Sequence, residues 1–109
     1  MKRLSNRYGC PVELALDLLD GKWKTVILAR LKDTPMRYGE LRRAIPRLSD
    51  KMLTERLHDL AALDLVVRDA DGSYRLGPAA ERARPVLQAL FEWGDGVADE
   101  RAIALDNRS

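Results

Sequence analysis

The clearest alternation of apolar and polar positions runs from Ser49 to Leu63, SDKMLTERLHDLAAL. At about 100° per residue, Leu53, Leu57 and Leu60 share one side with Asp64, and Ala61 lies at its edge. Lys51, Thr54, Glu55 and His58 point the other way. The spacing predicts a helix whose leucines dock on a core while a cation, a hydroxyl, an acid and an imidazole face outward. Ser49 is a suitable N-cap.

The rest of the pattern predicts elements that hold this helix. Cys10-Pro11-Val12-Glu13 is a helix start, with proline at the first position, an acid at the third and Cys10 at or near the N-cap. Leu14, Ala15 and Leu18 form its stripe, and Gly21 ends it. Lys22 to Lys32 is a second helix with Trp23, Val26, Ile27 and Leu31 on its apolar face. Thr34-Pro35 terminates it. Met36 to Ile45 is a third helix, with Tyr38, Leu41 and Ile45 inward and Arg37, Arg42 and Arg43 outward. Pro46-Arg47-Leu48 is a tight turn into the fourth helix. Two helices joined in this way form a helix-turn-helix.

The period then changes. Leu65 to Arg68 and Tyr74 to Leu76 read as strands, and Asp71-Gly72 between them is a two-residue hairpin signal. A hairpin directly after the outward-facing helix is the wing of a winged helix. Gly77-Pro78 opens a final helix carrying Ala83, Leu87, Leu90, Phe91 and Val97, with a break expected near Arg84 because of Pro85. Gly94 and Gly96 should weaken it further on. The fold class is therefore mainly α with a small β-hairpin wing.

Composition adds three limits. The 109 residues suffice for a single domain, 1–109, with its core at about 10–76. No apolar run approaches the roughly 18 residues of a membrane span. The first ten residues have charge but no apolar stretch, so no signal peptide or membrane association is expected and a cytoplasmic protein is. One cysteine excludes an internal disulfide and Cys-rich zinc sites.

Charge changes the picture more. Net charge is +2, yet Lys22 to Arg56 holds ten Lys or Arg against four Asp or Glu, and the remainder nine against thirteen. A basic middle between acidic flanks implies a polyanion bound by one face. Lys2, Arg3 and Arg7 form a basic N-terminal arm. A helix flanked by cations is what the major groove of double-stranded DNA accepts.

Such binding needs base readers and phosphate grips. Lys51, Thr54 and Glu55 are the candidate readers: lysine donates to guanine, and glutamate accepts from the cytosine amino group. Met52 is a candidate for a thymine methyl. Ser49, Arg42, Arg43 and Arg56 are the candidate phosphate contacts, followed by Lys22, Lys24, Arg68 and Arg75. Arg56 has an equal alternative as a helix-surface partner of Asp59 or Glu55. His58 has no second His or Cys near it, so no metal and no cofactor is expected. Trp23 and Trp93 fit packing better than a ligand pocket. Enzymatic chemistry has no support: no Gly-rich phosphate loop, no Ser/His/Asp set and no acid pair in an apolar setting. The better rival is a winged helix used for protein contacts, which needs no basic stretch and would bind with little salt dependence.

Several segments together resemble the HxlR-type winged-helix transcriptional regulators, relatives of the MarR group. They are Cys10-Pro-Val-Glu, Gly21-Lys-Trp-Lys-Thr-Val-Ile-Leu, Arg37-Tyr-Gly-Glu-Leu-Arg-Arg-Ala-Ile-Pro, Ser49-Asp-Lys-Met-Leu-Thr-Glu-Arg-Leu and Leu90-Phe-Glu-Trp-Gly. The resemblance covers roughly residues 8 to 96. It implies a homodimer joined through the terminal helices and an operator with two related half-sites. Several members respond to electrophiles or oxidants, some through a cysteine at the position of Cys10. A helix N-terminus favours a thiolate, although a small packing residue is the usual state of a free cysteine. The hairpin here departs from the longer, proline-rich wing of the family and carries Asp69 and Asp71 at its tip, with Arg68 and Arg75 still able to reach phosphate.

Overall fold

The computed structural model describes residues 4–106, so Lys2 and Arg3 of the proposed arm lie outside the described residues. Four helices come first: α1 (Pro11–Leu19), α2 (Lys22–Leu31), α3 (Tyr38–Ala44) and α4 (Asp50–Ala62). A hairpin of β1 (Val66–Arg68) and β2 (Tyr74–Leu76) follows. A 3-10 helix (Pro78–Ala83) then leads into α5 (Arg84–Glu100). The wing and helix-turn-helix expected from the pattern are both present.

Local chemistry explains most of the boundaries. Cys10 is the extended N-cap of α1, with Pro11 in the first turn. Ser49 caps α4 through its side chain, which accepts from Met52 N at 3.1 Å. Glu40 reaches back to the backbone N–H of Arg37 at 2.9 Å and closes the start of α3. Pro85 sits in the first turn of α5, where its missing N–H is harmless, and the residues before it tighten to a 3-10 turn. The break at Arg84 is as the proline predicts. Gly94 and Gly96 do not end the helix, which runs on to Glu100.

Two elements differ from expectation. Met36 is not helical. It pairs with Tyr74 in an antiparallel bridge, Met36 N to Tyr74 O at 2.9 Å and Tyr74 N to Met36 O at 2.7 Å. The segment before α3 thus adds a short third strand to the wing, which satisfies backbone groups that a two-stranded ribbon would leave open on that edge. The hairpin loop is also longer than a two-residue turn. Asp69 N donates to Ser73 O and Gly72 N to Asp69 O, and within the loop only Gly72 has a positive φ, +90°. That is a type I turn closed by a glycine bulge, not a type I′ turn, which needs two positive φ values.

Ile27, Leu28, Leu31, Leu41, Ile45, Leu48, Leu53, Leu57 and Leu60 are buried together with Leu65, Val66 and Leu76. The core continues past Leu76 to Ala80 and Leu87. The base of the wing is fixed tightly: Gly77 N donates to Leu65 O at 2.9 Å, and a Cβ on Gly77 would stand 2.2 Å from Asp64 O. Only glycine lets the two chain segments approach so closely.

Candidate nucleic-acid interface

The docking of α4 decides what it presents. Leu53, Leu57 and Leu60 are buried, while Lys51, Thr54, Glu55 and His58 are exposed along the opposite face, as the helical repeat predicts. Met52 is half-buried and packs against the core edge, which limits the area it can offer to a base.

The start of α4 is tied to α3 by one polar cluster. The Tyr38 hydroxyl lies 3.1 Å from both the carbonyl and a carboxylate oxygen of Asp50, and 3.2 Å from Thr54 Oγ1. Arg42 donates through Nε to the same carboxylate at 2.7 Å and also to the carbonyl of Leu48. These bonds from Arg42 and Tyr38, with the charge of Arg42, hold the Asp50 carboxyl below its ordinary range. The turn is therefore braced from both sides, and Thr54 leaves the helix with its hydroxyl already oriented.

The candidate phosphate contacts divide into two groups. Arg43, Lys22 and Arg68 are exposed. Lys22 lies over the Trp23 ring at 4.9 Å and Arg68 over Tyr74 at 5.5 Å, contacts that hold the side chains without consuming their N–H groups. Ser49 Oγ accepts from Met52 N and keeps its proton to donate. Arg42, Arg56 and Arg75 instead have acidic partners. Arg75 donates to both carboxylate oxygens of Asp69 at 3.0 Å. Arg56 stands 3.4 Å from Glu55 and 3.8 Å from Asp59, so the ion-pair alternative describes its place here.

Lys24 requires a correction. It is only 5% exposed, with Nζ 3.3 Å from Asp20 and 3.8 Å from Asp59. A buried ammonium between two carboxylates is a bracket between α2 and α4 and has no surface to offer a phosphate.

The acids of the wing are likewise spoken for. Besides Asp69, Asp71 accepts from the backbone N–H and hydroxyl of Ser73 at 2.9 and 2.7 Å. Those bonds hold its carboxyl below the usual range. Cys10 is exposed at the head of α1. Among the described residues no cluster of three His, Cys, Asp or Glu could hold a metal, and no helix is long and apolar enough to cross a membrane.

Residues 18–102 match the family of HxlR-like helix-turn-helix proteins. The chain belongs to that family. An uncharacterized HTH-type transcriptional regulator of Methanothermobacter thermautotrophicus is 36% identical over 95 residues, which is 82% of this chain and 72% of the relative. Among solved structures, quinone-bound YodB from B. subtilis is similar with a TM-score of 0.67 and 35% identity, covering 80% of this chain and 99% of that one. The redox regulator HypR in its reduced form gives a TM-score of 0.74 at 30% identity, covering 87% of this chain and 100% of its own. This HxlR-type chain is a transcriptional regulator of the helix-turn-helix class and not an enzyme.

Two features of this HxlR-type protein escaped the reading of its sequence. The Tyr38–Asp50–Arg42 cluster spans the turn and follows no helical repeat, so spacing gives no sign of it. Burial of Lys24 did leave a sign. It stands three, four and seven residues before Ile27, Leu28 and Leu31, on the face those residues bury.

Proposed function

We propose that this regulator binds a pseudo-palindromic duplex operator as a homodimer, laying the exposed face of α4 in the major groove. The observation that carries the reading is the division of α4, with leucines fully inward and Lys51, Thr54 and Glu55 exposed on the outward face. Lys51, Thr54 and Glu55 read base edges, with Met52 contributing its exposed edge to a thymine methyl. Ser49, Arg43, Lys22 and Arg68 grip phosphate. Arg42, Arg56 and Arg75 contribute positive potential around their ion pairs, and DNA phosphate competes with their carboxylates for them. The unit is one domain, 1–109, whose terminal helices make the dimer.

The dimer reading is supported by apolar side chains that no described residue buries. No residue of α1 is buried, and Val12 and Leu16 are 64% and 62% exposed. On α5, Val86 and Leu90 are exposed and Trp93 is 72% exposed. Two helices with bare apolar stripes suit a two-fold interface, in which each patch meets its own copy. Paired α4 helices would then stand about 34 Å apart, one DNA turn.

Sensing is the finer part of the proposal. Cys10 stands exposed as the N-cap of α1, two residues before the bare Val12, and the relatives include a quinone-bound protein and a redox regulator. A quinone would be attacked by the Cys10 thiolate, forming a carbon–sulfur bond while the ring takes up a proton and becomes the hydroquinone adduct. A bulky group there would disturb the packing of α1 and with it the spacing of the two α4 helices.

Footprinting of the DNA upstream of this protein's own gene, with and without quinone and with Cys10→Ser, tests the parts together. The expected result is protection over two half-sites, lost with quinone in the wild type and retained in the variant. A binding constant that falls with salt at a log–log slope of several units supports operator binding. A slope near zero supports protein contacts instead.

A further inference from the structure

Most arginines near the wing are neutralised from within. Arg75 is held by Asp69, Arg42 by Asp50 and Arg56 by Glu55 and Asp59. Asp71, the other acid of the wing, turns inward to Ser73. Arg37 and Arg68 are exceptions: both are exposed and neither has a carboxylate within ion-pair distance among the described residues, although the charge of Arg37 reaches Asp71.

They are also brought together. Arg37 follows Met36, whose bridge to Tyr74 lays the segment before α3 along the wing. Arg68 is paired with the same Tyr74 from the other side, at the end of β1. The point where a Gly72 side chain would begin lies 3.5 Å from Arg37 Nη1 and 3.9 Å from Arg68 Nη2. Two guanidinium groups thus converge over the bare backbone of Gly72 although like charges repel, and the nearest compensating charge, Asp71, feels Arg37 only at a distance while its hydrogen bonds go to Ser73. The Arg68 guanidinium is held by the Tyr74 ring, 5.5 Å from its centroid, and Arg37 is anchored through its backbone at the head of α3.

We propose that Arg37 and Arg68 form one anion clamp at the wing, built for a single phosphodiester of the duplex. A phosphate has two outward oxygens and accepts two guanidinium groups at about 2.8 Å each, which matches two forks facing one gap. Gly72 keeps that gap open. Arg37 heads α3, the helix before α4, and Arg68 ends β1, the strand after α4, so the phosphate they fix would set the register in which Lys51, Thr54 and Glu55 meet base edges. The proposal rests on the reading of α4 as a DNA-binding helix.

The test compares wild type, Arg37→Gln, Arg68→Gln and the double variant on the footprinted duplex and on a random duplex of equal length, over a range of salt. Thermal melts confirm folding, and Arg37→Lys serves as the conservative control. One shared phosphate predicts that the double variant loses affinity about tenfold on both duplexes and that its salt slope falls by about one. The two single losses should be non-additive, and Arg37→Lys should keep most of the slope. A slope that falls by two with additive losses would mean two separate contacts and overturn the clamp. Unchanged affinity in the double variant, beside a steep wild-type slope, would also overturn it and leave DNA binding by α4 standing. A flat salt response in the wild type would overturn both.

Discussion

Replacing Lys24 by methionine keeps the length of the buried stem and removes the charge. Loss of one partner from a buried ion pair costs about 3–5 kcal/mol when the other charge is left fully enclosed. Here the remaining carboxylates are partly wet, Asp20 at 31% exposure and Asp59 at 18%, and Asp59 keeps Arg56 at 3.8 Å. Solvent and the second cation reduce the expected loss to about 2 kcal/mol. In a domain of this size that lowers the melting temperature by roughly 10 °C. Adding Asp20→Asn and Asp59→Asn to Lys24→Met should recover most of the loss, because the uncompensated charges go with it. Urea and thermal unfolding measure the first part. The salt slope of DNA binding measures the second and should not change. A slope reduced by about one, with stability unaltered, would return Lys24 to the surface and refute its role as a bracket between α2 and α4.

Gly77→Ala places a methyl against the Asp64 carbonyl and strains the bond from Gly77 N to Leu65 O. Overpacking against backbone costs about 1–3 kcal/mol, and a loss below 0.5 kcal/mol in urea unfolding would contradict the close approach. Asp50 has its carboxyl lowered by Arg42 and Tyr38 from an ordinary 3.8, so its contribution to stability is present above 3.8 and is lost as pH falls through the lower folded value. Asp50→Asn should flatten the stability curve below about pH 4 and leave operator affinity independent of this group between pH 6 and 8. An NMR titration midpoint for Asp50 above 3.8 would reverse that assignment. Leu16→Glu and Trp93→Glu, each placing a charge in the uncovered apolar stripe, should convert a dimer to monomer in sedimentation at micromolar concentration. Persistence of the wild-type mass would place the interface elsewhere.

The parts legible in the sequence are those encoded locally. Leu53, Leu57 and Leu60 repeat with the helix, Ser49 and Cys10-Pro11 mark helix starts, and Pro85 marks the point where a 3-10 turn hands over to α5. The face of α4 follows from the same repeat, so Lys51, Thr54 and Glu55 were legible as outward residues. What was not legible depends on meetings between distant segments. The bridge from Met36 to Tyr74 joins residues on either side of the helix-turn-helix, and no local pattern announces an added strand of one residue. Arg42 reads as a free cation until folding brings Asp50 across the turn to meet it. Asp71-Gly72 fits two loop lengths, and the register between Arg68 and Tyr74 selects the longer. Lys24 is a different case: its residue type suggests the surface, while its spacing from Ile27, Leu28 and Leu31 puts it inward.

The most direct measurement of the central claim is the ratio of operator to random-duplex affinity for Lys51→Ala/Thr54→Ala/Glu55→Ala, beside wild type at one fixed salt concentration. All three side chains are exposed, so folding should be intact. If the outward face of α4 reads the bases, the ratio collapses by about a hundredfold or more while random-duplex binding changes only several-fold. A folded variant that still prefers the operator as strongly as wild type does would contradict the account.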